Sequence, residues 1–456
     1  MEQLKKKYGL PTAIAMVVGI VIGSGVFFKA EVILTKTGGD MPLGILAWLI
    51  GGLIMIACSC AFAVMATKYE YVNGVVDYAD VTVGKKYGYM VGWFLATIYY
   101  PTLTSVLAWL SARYLCVLIG YSIAGPECFL IAALFLVSNY ALNALSPKLA
   151  GKFQVSTTII KLIPLALMAV VGTIVGLANG MTVQNFSSAA VVATSGSPLF
   201  AAVVATAFAY EGWIIATSIN AELKDAKKNL PKALVLGAFV VVAIYIFYYI
   251  GIAGGVTKDV MMAGGENGAR IAFSTIFSNV GGTILFVFIV ISCLGTLNGL
   301  MLGCTRGFYS LAARNVGPKP EVFKQIDKVT NMPTNSSIVG VLLAAVWLVY
   351  FYGANLTGIN GAEPWFGPFC FDSSELPIIT LYAMYIPMFI MFMKKEKDMG
   401  VFKRIILPLL ALCGSLFMVF AAIYAHGMAV VYYLIIFAVV MVIGLFFSKP
   451  KEISAN

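Results

Sequence analysis

Charge is scarce in this sequence. Asp, Glu, Lys and Arg make up 11% of its 456 residues, against about 25% in an ordinary soluble domain. Apolar residues reach 61%, and the mean hydropathy is +0.93. That balance excludes a soluble globular domain. Histidine occurs once, as His426. The eight cysteines show no metal-ligand spacing: Cys58-x-Cys60 is too close for the usual pairs, and the rest lie in or near apolar runs. They read as small apolar fillers. No phosphate-binding loop and no paired catalytic carboxylates occur, so an enzyme has no chemistry to run here, and no cofactor or metal is expected. The alternating ten-residue segments of a membrane barrel are missing. The first apolar segment is too long for a secretory signal and lacks a small-residue cleavage site.

What is there is a series of apolar stretches of about 20 residues, the length a bilayer-crossing helix needs. They predict an all-α polytopic membrane protein with the lipid bilayer around it. Twelve spans are expected, at 11–34, 42–66, 87–111, 129–145, 153–178, 199–221, 233–255, 279–305, 335–352, 376–393, 404–424 and 428–447. The net charge of +10 reflects topology rather than nucleic acid. Of the 30 Lys and Arg, 24 fall in the terminal tails and the loops on the same side as them. The other side holds Lys29, Lys36, Arg113, Lys258 and Arg270, and Lys161 remains inside a span. The positive-inside rule puts both termini in the cytoplasm.

Two spans are interrupted. The first breaks at Gly23-Ser24-Gly25, and the sixth at Phe208-Ala209-Tyr210-Glu211-Gly212-Trp213. Glycine in a helix interior costs about 1 kcal/mol relative to alanine. A small-residue packing face is one account of the first triplet. The second break, at the corresponding place five spans later, favours opened backbone instead. Five spans is an odd number, so 11–178 and 199–393 form two repeats of opposite orientation. Residues 404–447 add two helices, and 1–10 and 448–456 are cytoplasmic tails. Paired broken helices of this kind mark the substrate site of inverted-repeat transporters. Backbone N–H groups opened near Gly25 and Val26 suit a carboxylate. Carbonyls near Val21 and at Phe208 to Glu211 suit an ammonium. An α-amino acid carries both.

Other polar groups in spans have ordinary and functional readings. Tyr99-Tyr100-Pro101 predicts a kink. Lys161 either snorkels to the cytoplasm or faces the interior as a fixed charge. Glu211 is a structural hydrogen-bonding group or a functional one. Ser292, Thr296 and Asn298 fit interhelical hydrogen bonds. His426 lies in a tight external turn, where simple solvation is expected.

The segments GSGVFF, FAYEGW followed by NAELKDAKKNLPKA, and SCLGTLNG followed by TRGFY together resemble the amino acid–polyamine–organocation superfamily. Within it they resemble the L-type amino acid transporter branch, and bacterial alanine-serine-cysteine or serine/threonine exchangers most. The resemblance covers roughly residues 8–445. It implies a LeuT-type fold and sodium-independent amino acid exchange by alternating access at the cell membrane. It implies that Ser24, Gly25 and Val26 hold the substrate carboxylate, largely by backbone, with Gly23 also in the substrate site. The carbonyls of Val21, Phe208, Ala209 and Glu211 would surround the amino group. Phe208 would gate the site, and Trp213 and Tyr99 would crowd the side chain, favouring alanine, serine, cysteine, threonine or glycine. Lys161 would stand where sodium-coupled relatives hold an ion and bridge span 1 to span 8 through Ser292. Lys29-Ala30-Glu31 replaces a stretch where many relatives have proline, so the outer part of span 1 is expected to differ. Animal members pair with a single-span glycoprotein through a cysteine between spans 3 and 4. Cys128 lies near there, but a monomer without such a subunit is expected. A proton-coupled symporter, with Glu211 or Lys161 titrating, is the alternative. A channel lacks rings of polar groups, and an amine antiporter would want an acidic pocket to which only Glu211 contributes.

Overall fold

The computed structural model describes residues 9–69, 74–187, 197–214, 223–330 and 332–449. Their regular elements are helical, with no β-strand among the described residues. Among the described residues, ten helices are long and apolar enough to cross a membrane, from Met41–Tyr69 to Met428–Leu445. Two further apolar helices are short, Leu10–Gly19 and Pro198–Ala209. They are the first halves of the spans expected at 11–34 and 199–221. The difference from twelve full spans has a local cause: both chains of hydrogen bonds stop at the breaks. The remaining expected spans appear in order, with displaced ends; the one expected at 153–178 runs Pro147–Ala178. Residues 215–222 lie outside the described residues, and with them Asn220, Ala221 and Glu222 of the segment after FAYEGW.

The described chain gathers into two compact units. One comprises 1–83, 161–288 and 378–425, the other 84–160, 289–377 and 426–456. Each unit draws on both the 11–178 and the 199–393 stretches.

In the first unit, glycine sets the closest helix crossing. A Cβ on Gly251 would lie 2.1 Å from the Met168 carbonyl oxygen. One on Gly176 would lie 2.3 Å from the Gly254 Cα. Only glycine lets these backbones touch, as in membrane helix pairs generally. Around Trp48, buried with Tyr210, Tyr245 and Tyr249, an aromatic core forms. At one end, Lys68 Nζ meets Glu396 at 3.2 Å and Asp398 at 2.5 Å. Tyr69 Oη donates to Glu396 at 2.6 Å.

In the second unit, Pro101 produces the expected distortion. A π-helical stretch, Leu95–Tyr99, precedes it. Proline has no N–H to give the carbonyl four residues earlier. That carbonyl, on Thr97, accepts instead from Trp347 Nε1 at 3.2 Å. Asn298 makes the interhelical bonds its position suggested. It accepts from Asn143 Nδ2 and donates to Gln154 Oε1, each at 2.9 Å. The reading of His426 is corrected. Its side chain is 12% exposed, and Nε2 lies 3.1 Å from Glu375 Oε2, whose side chain is 1% exposed. The turn is tight, but the ring folds back on a buried carboxylate rather than into solvent.

Candidate substrate site at the two helix breaks

The first half-helix, Leu10–Val21, starts with Pro11 in its first turn, where a missing N–H costs nothing. It ends because Ile22 turns extended, at φ −67° and ψ 107°. Ser24 then caps the second half-helix, Gly25–Lys36. With no proline at 29–31, that helix runs on unbroken, and Lys29 and Glu31 are both buried along it. The other break follows Ala209. The chain passes through turns at Tyr210–Gly212 into a short 3-10 segment at Trp213–Ile214. Gly212 has φ +103°, a conformation that side chains with a Cβ avoid.

The two breaks meet. A Cβ on Gly25 would lie 2.6 Å from the Ala209 Cα and 3.0 Å from the Phe208 carbonyl oxygen. Val21, Ser24, Val26, Ala209 and Trp213 are all at most 3% exposed, and Phe208 is 8% exposed. Phe208 packs edge-on against Phe28, with centroids 5.9 Å apart. Lys29 Nζ stands 4.8 Å from the Phe28 centroid and 5.4 Å from that of Phe208, within cation–π range. Trp213 packs on Phe62 and Tyr385 and donates to the Tyr382 hydroxyl. The Glu211 carboxylate is close enough to Cys58 and Tyr382 to act on both electrostatically.

A residue that sequence reasoning missed joins the breaks. Tyr245 Oη lies 3.1 Å from the Val21 carbonyl oxygen and 3.0 Å from that of Ala209. The Gly23 backbone N–H reaches the same hydroxyl. One phenol has one proton, so the two carbonyls share it. The ring is fixed by stacking on Tyr210 at 5.2 Å and by the edge of Trp48 at 5.4 Å. Tyr210 Oη itself donates to the Trp48 carbonyl at 2.9 Å. The available signal was the phenol's depth: a mid-span tyrosine needs a partner for its hydroxyl.

Lys161 faces inward. It is 4% exposed, and Nζ donates to the Gly19 carbonyl at 2.6 Å. Gly19 lies in the last turn of the first half-helix, where carbonyls lose their intrahelical partners and the helix dipole favours a cation. Tyr99 and Ser292 belong to the other unit. There Tyr99 is buried against Phe94 and Tyr100, and Ser292 is buried in the helix that follows a kink at Ser278 and ends at Ala312. No group of three or more metal-ligating side chains occurs among the described residues.

Two helices broken at matched places, with opened backbone and little side-chain charge between them, can hold a small zwitterion. The model of the amino acid permease family matches residues 8–446. The chain belongs to that family. The permease is 29% identical to the serine/threonine exchanger SteT of Bacillus subtilis (strain 168), over 91% of this chain and 90% of that one. It is 25% identical to the b(0,+)-type amino acid transporter 1 of Homo sapiens, over 78% and 76%. It is also 25% identical to the large neutral amino acids transporter small subunit 2 of Homo sapiens, over 72% of this chain and 62% of that one. These relatives are membrane transporters, and this permease is a multi-pass amino acid transporter of the amino acid–polyamine–organocation superfamily, not an enzyme.

Proposed function

We propose that the permease exchanges small neutral L-amino acids across the cell membrane, without sodium, by alternating access. The observation that carries this is the meeting of the two breaks around Tyr245. It leaves N–H groups from Ser24 to Val26 for the substrate carboxylate, and the Val21, Phe208, Ala209 and Glu211 carbonyls for its ammonium. The Tyr245 proton on Val21 and Ala209 stands in for that ammonium until substrate arrives. Lys161, bonded to Gly19, supplies the fixed positive charge that makes a sodium ion unnecessary. Phe208 closes over the substrate, and Trp213 limits its side chain to the size of alanine, serine, cysteine, threonine or glycine. The arrangement is the twelve-span LeuT type, two inverted repeats at 11–178 and 199–393 plus 404–447, with cytoplasmic termini and no second subunit.

Glu211 supports a second reading, proton-coupled symport. Its carboxylate lies at a break, within electrostatic reach of the Cys58 thiol and the Tyr382 phenol. Labelled alanine uptake into proteoliposomes at equal pH, without sodium, separates the two. Uptake only with amino acid inside supports exchange. Uptake into empty vesicles, raised by an inward proton gradient, supports symport. If leucine or phenylalanine competes as well as alanine, the small-side-chain assignment fails.

A further inference from the structure

Two thiols meet at one end of the hairpin formed by spans 3 and 4. Cys116 lies in the last turn of the helix Tyr100–Ile119, and Cys128 in the first turn of Pro126–Leu145. Both are fully buried. Each side chain lies close enough to the other to act on it. The connection between them is tightly folded. Gly120 closes the first helix with φ +81°, and Tyr121 N donates to the Cys116 carbonyl at 2.9 Å. Trp109 Nε1 holds the Ile123 carbonyl at 2.9 Å, and Asn360 holds that of Ala124. The Arg113 guanidinium, 4.9 Å from the Trp109 ring, acts on Cys128, and Glu127 acts on Cys116.

Two other thiols find different partners. Cys58 approaches Ser415 and the Ala411 carbonyl, and Cys304 the Gly340 carbonyl. Cys58 and Cys60 share a helix at a spacing that turns them to different faces. The loop charge count puts the 120–125 connection on the outer side of the membrane. Disulfides persist there and not in the cytoplasm.

We propose that Cys116 and Cys128 form an intramolecular disulfide that staples the outer ends of spans 3 and 4. It forms while the hairpin is being assembled, before packing buries the sulfurs. The oxidant is a small-molecule or protein disulfide on the outer face. One cysteine thiolate attacks it, its S–S bond breaks, and one half leaves as a thiol. The other cysteine then attacks the mixed disulfide and releases the second half as a thiol. Two thiols are oxidised, one disulfide is reduced, and the two protons pass to the leaving thiolates. With both sulfurs committed, Cys128 has none left for a second subunit.

The test traps thiols in intact cells expressing the full chain, by lysis into denaturant containing N-ethylmaleimide, then weighs the purified protein. Wild type should carry six adducts of the eight possible, eight if reduced first, and a non-reduced peptide joining 116 to 128. Cys116→Ser and Cys128→Ser should each carry seven. Eight adducts without reductant, or a different linked pair, overturns the proposal. A Ser122→Cys variant, labelled by an impermeant maleimide from outside, checks the orientation separately. Labelling there together with eight wild-type adducts refutes the staple alone. Labelling only from inside refutes the outer placement on which it rests.

Discussion

The two helix breaks reach the same end by different backbone chemistry. Across the first, from Ile22 to Gly25, no residue takes a positive φ. Gly25 is needed for what it touches, the Ala209 backbone 2.6 Å from where a Cβ would be. In the second, Gly212 is needed for the shape of its own backbone, at φ +103°. The same residue type answers a packing demand in one place and a conformational demand in the other. The first break is sealed, while Glu211 and Gly212 in the second are only half-buried. The second is therefore the one whose polar groups can change partners.

Substitutions can break that comparison. The largest effect is expected for Gly25→Val. Its side chain meets backbone that has no room to yield, and overpacking typically costs about 1–3 kcal/mol even where neighbours can shift. Uptake should be abolished while the protein still inserts in the membrane. Uptake within twofold of wild type would end the packing account. Gly212→Ala should come next, with backbone strain of about 1–3 kcal/mol. It should lower Tm in detergent, and an unchanged Tm would show that the positive φ is not required.

Tyr245→Phe tests what holds the breaks together. It removes the donor shared by two buried carbonyls, and an unsatisfied buried acceptor costs about 1–3 kcal/mol. Because an arriving ammonium restores the partner those carbonyls have lost, alanine binding should tighten, by up to about tenfold, as read by calorimetry. Unaltered affinity and stability would remove Tyr245 from the site. The smallest effect is expected far from either break, at Asp398. Lys68 beside it holds its carboxyl below the ordinary range. A depressed folded-state pKa stabilises above the unfolded value, and the gain is lost as pH falls through the folded one. Wild type should be slightly more stable than Asp398→Asn at pH 7. The two Tm curves should merge in acid, below the ordinary carboxylate range.

The membrane class, most span positions and both breaks were legible in the sequence, because hydropathy and interruptions in it are local properties. Lys161 was legible as a charge that had to find a partner. Which partner was not, since Gly19 is 142 positions away. Tyr245 was hidden among the tyrosines of its own span. Tyr245, Tyr248 and Tyr249 look alike in the chain, and only the first has its hydroxyl on both breaks. His426 was misjudged because a turn position says nothing of which carboxylate the turn brings near.

The sequence by itself determined that this chain lives in a bilayer, where its helices must stop, and that the stops carry backbone rather than charge. A low-charge sequence in lipid has no other way to satisfy its backbone. Only the tertiary structure decided what fills each stop. Gly25 against Ala209, Lys161 on Gly19 and Tyr245 across Val21 and Ala209 are pairings between residues far apart in the chain. No periodicity encodes them, because each is fixed by how separate helices pack.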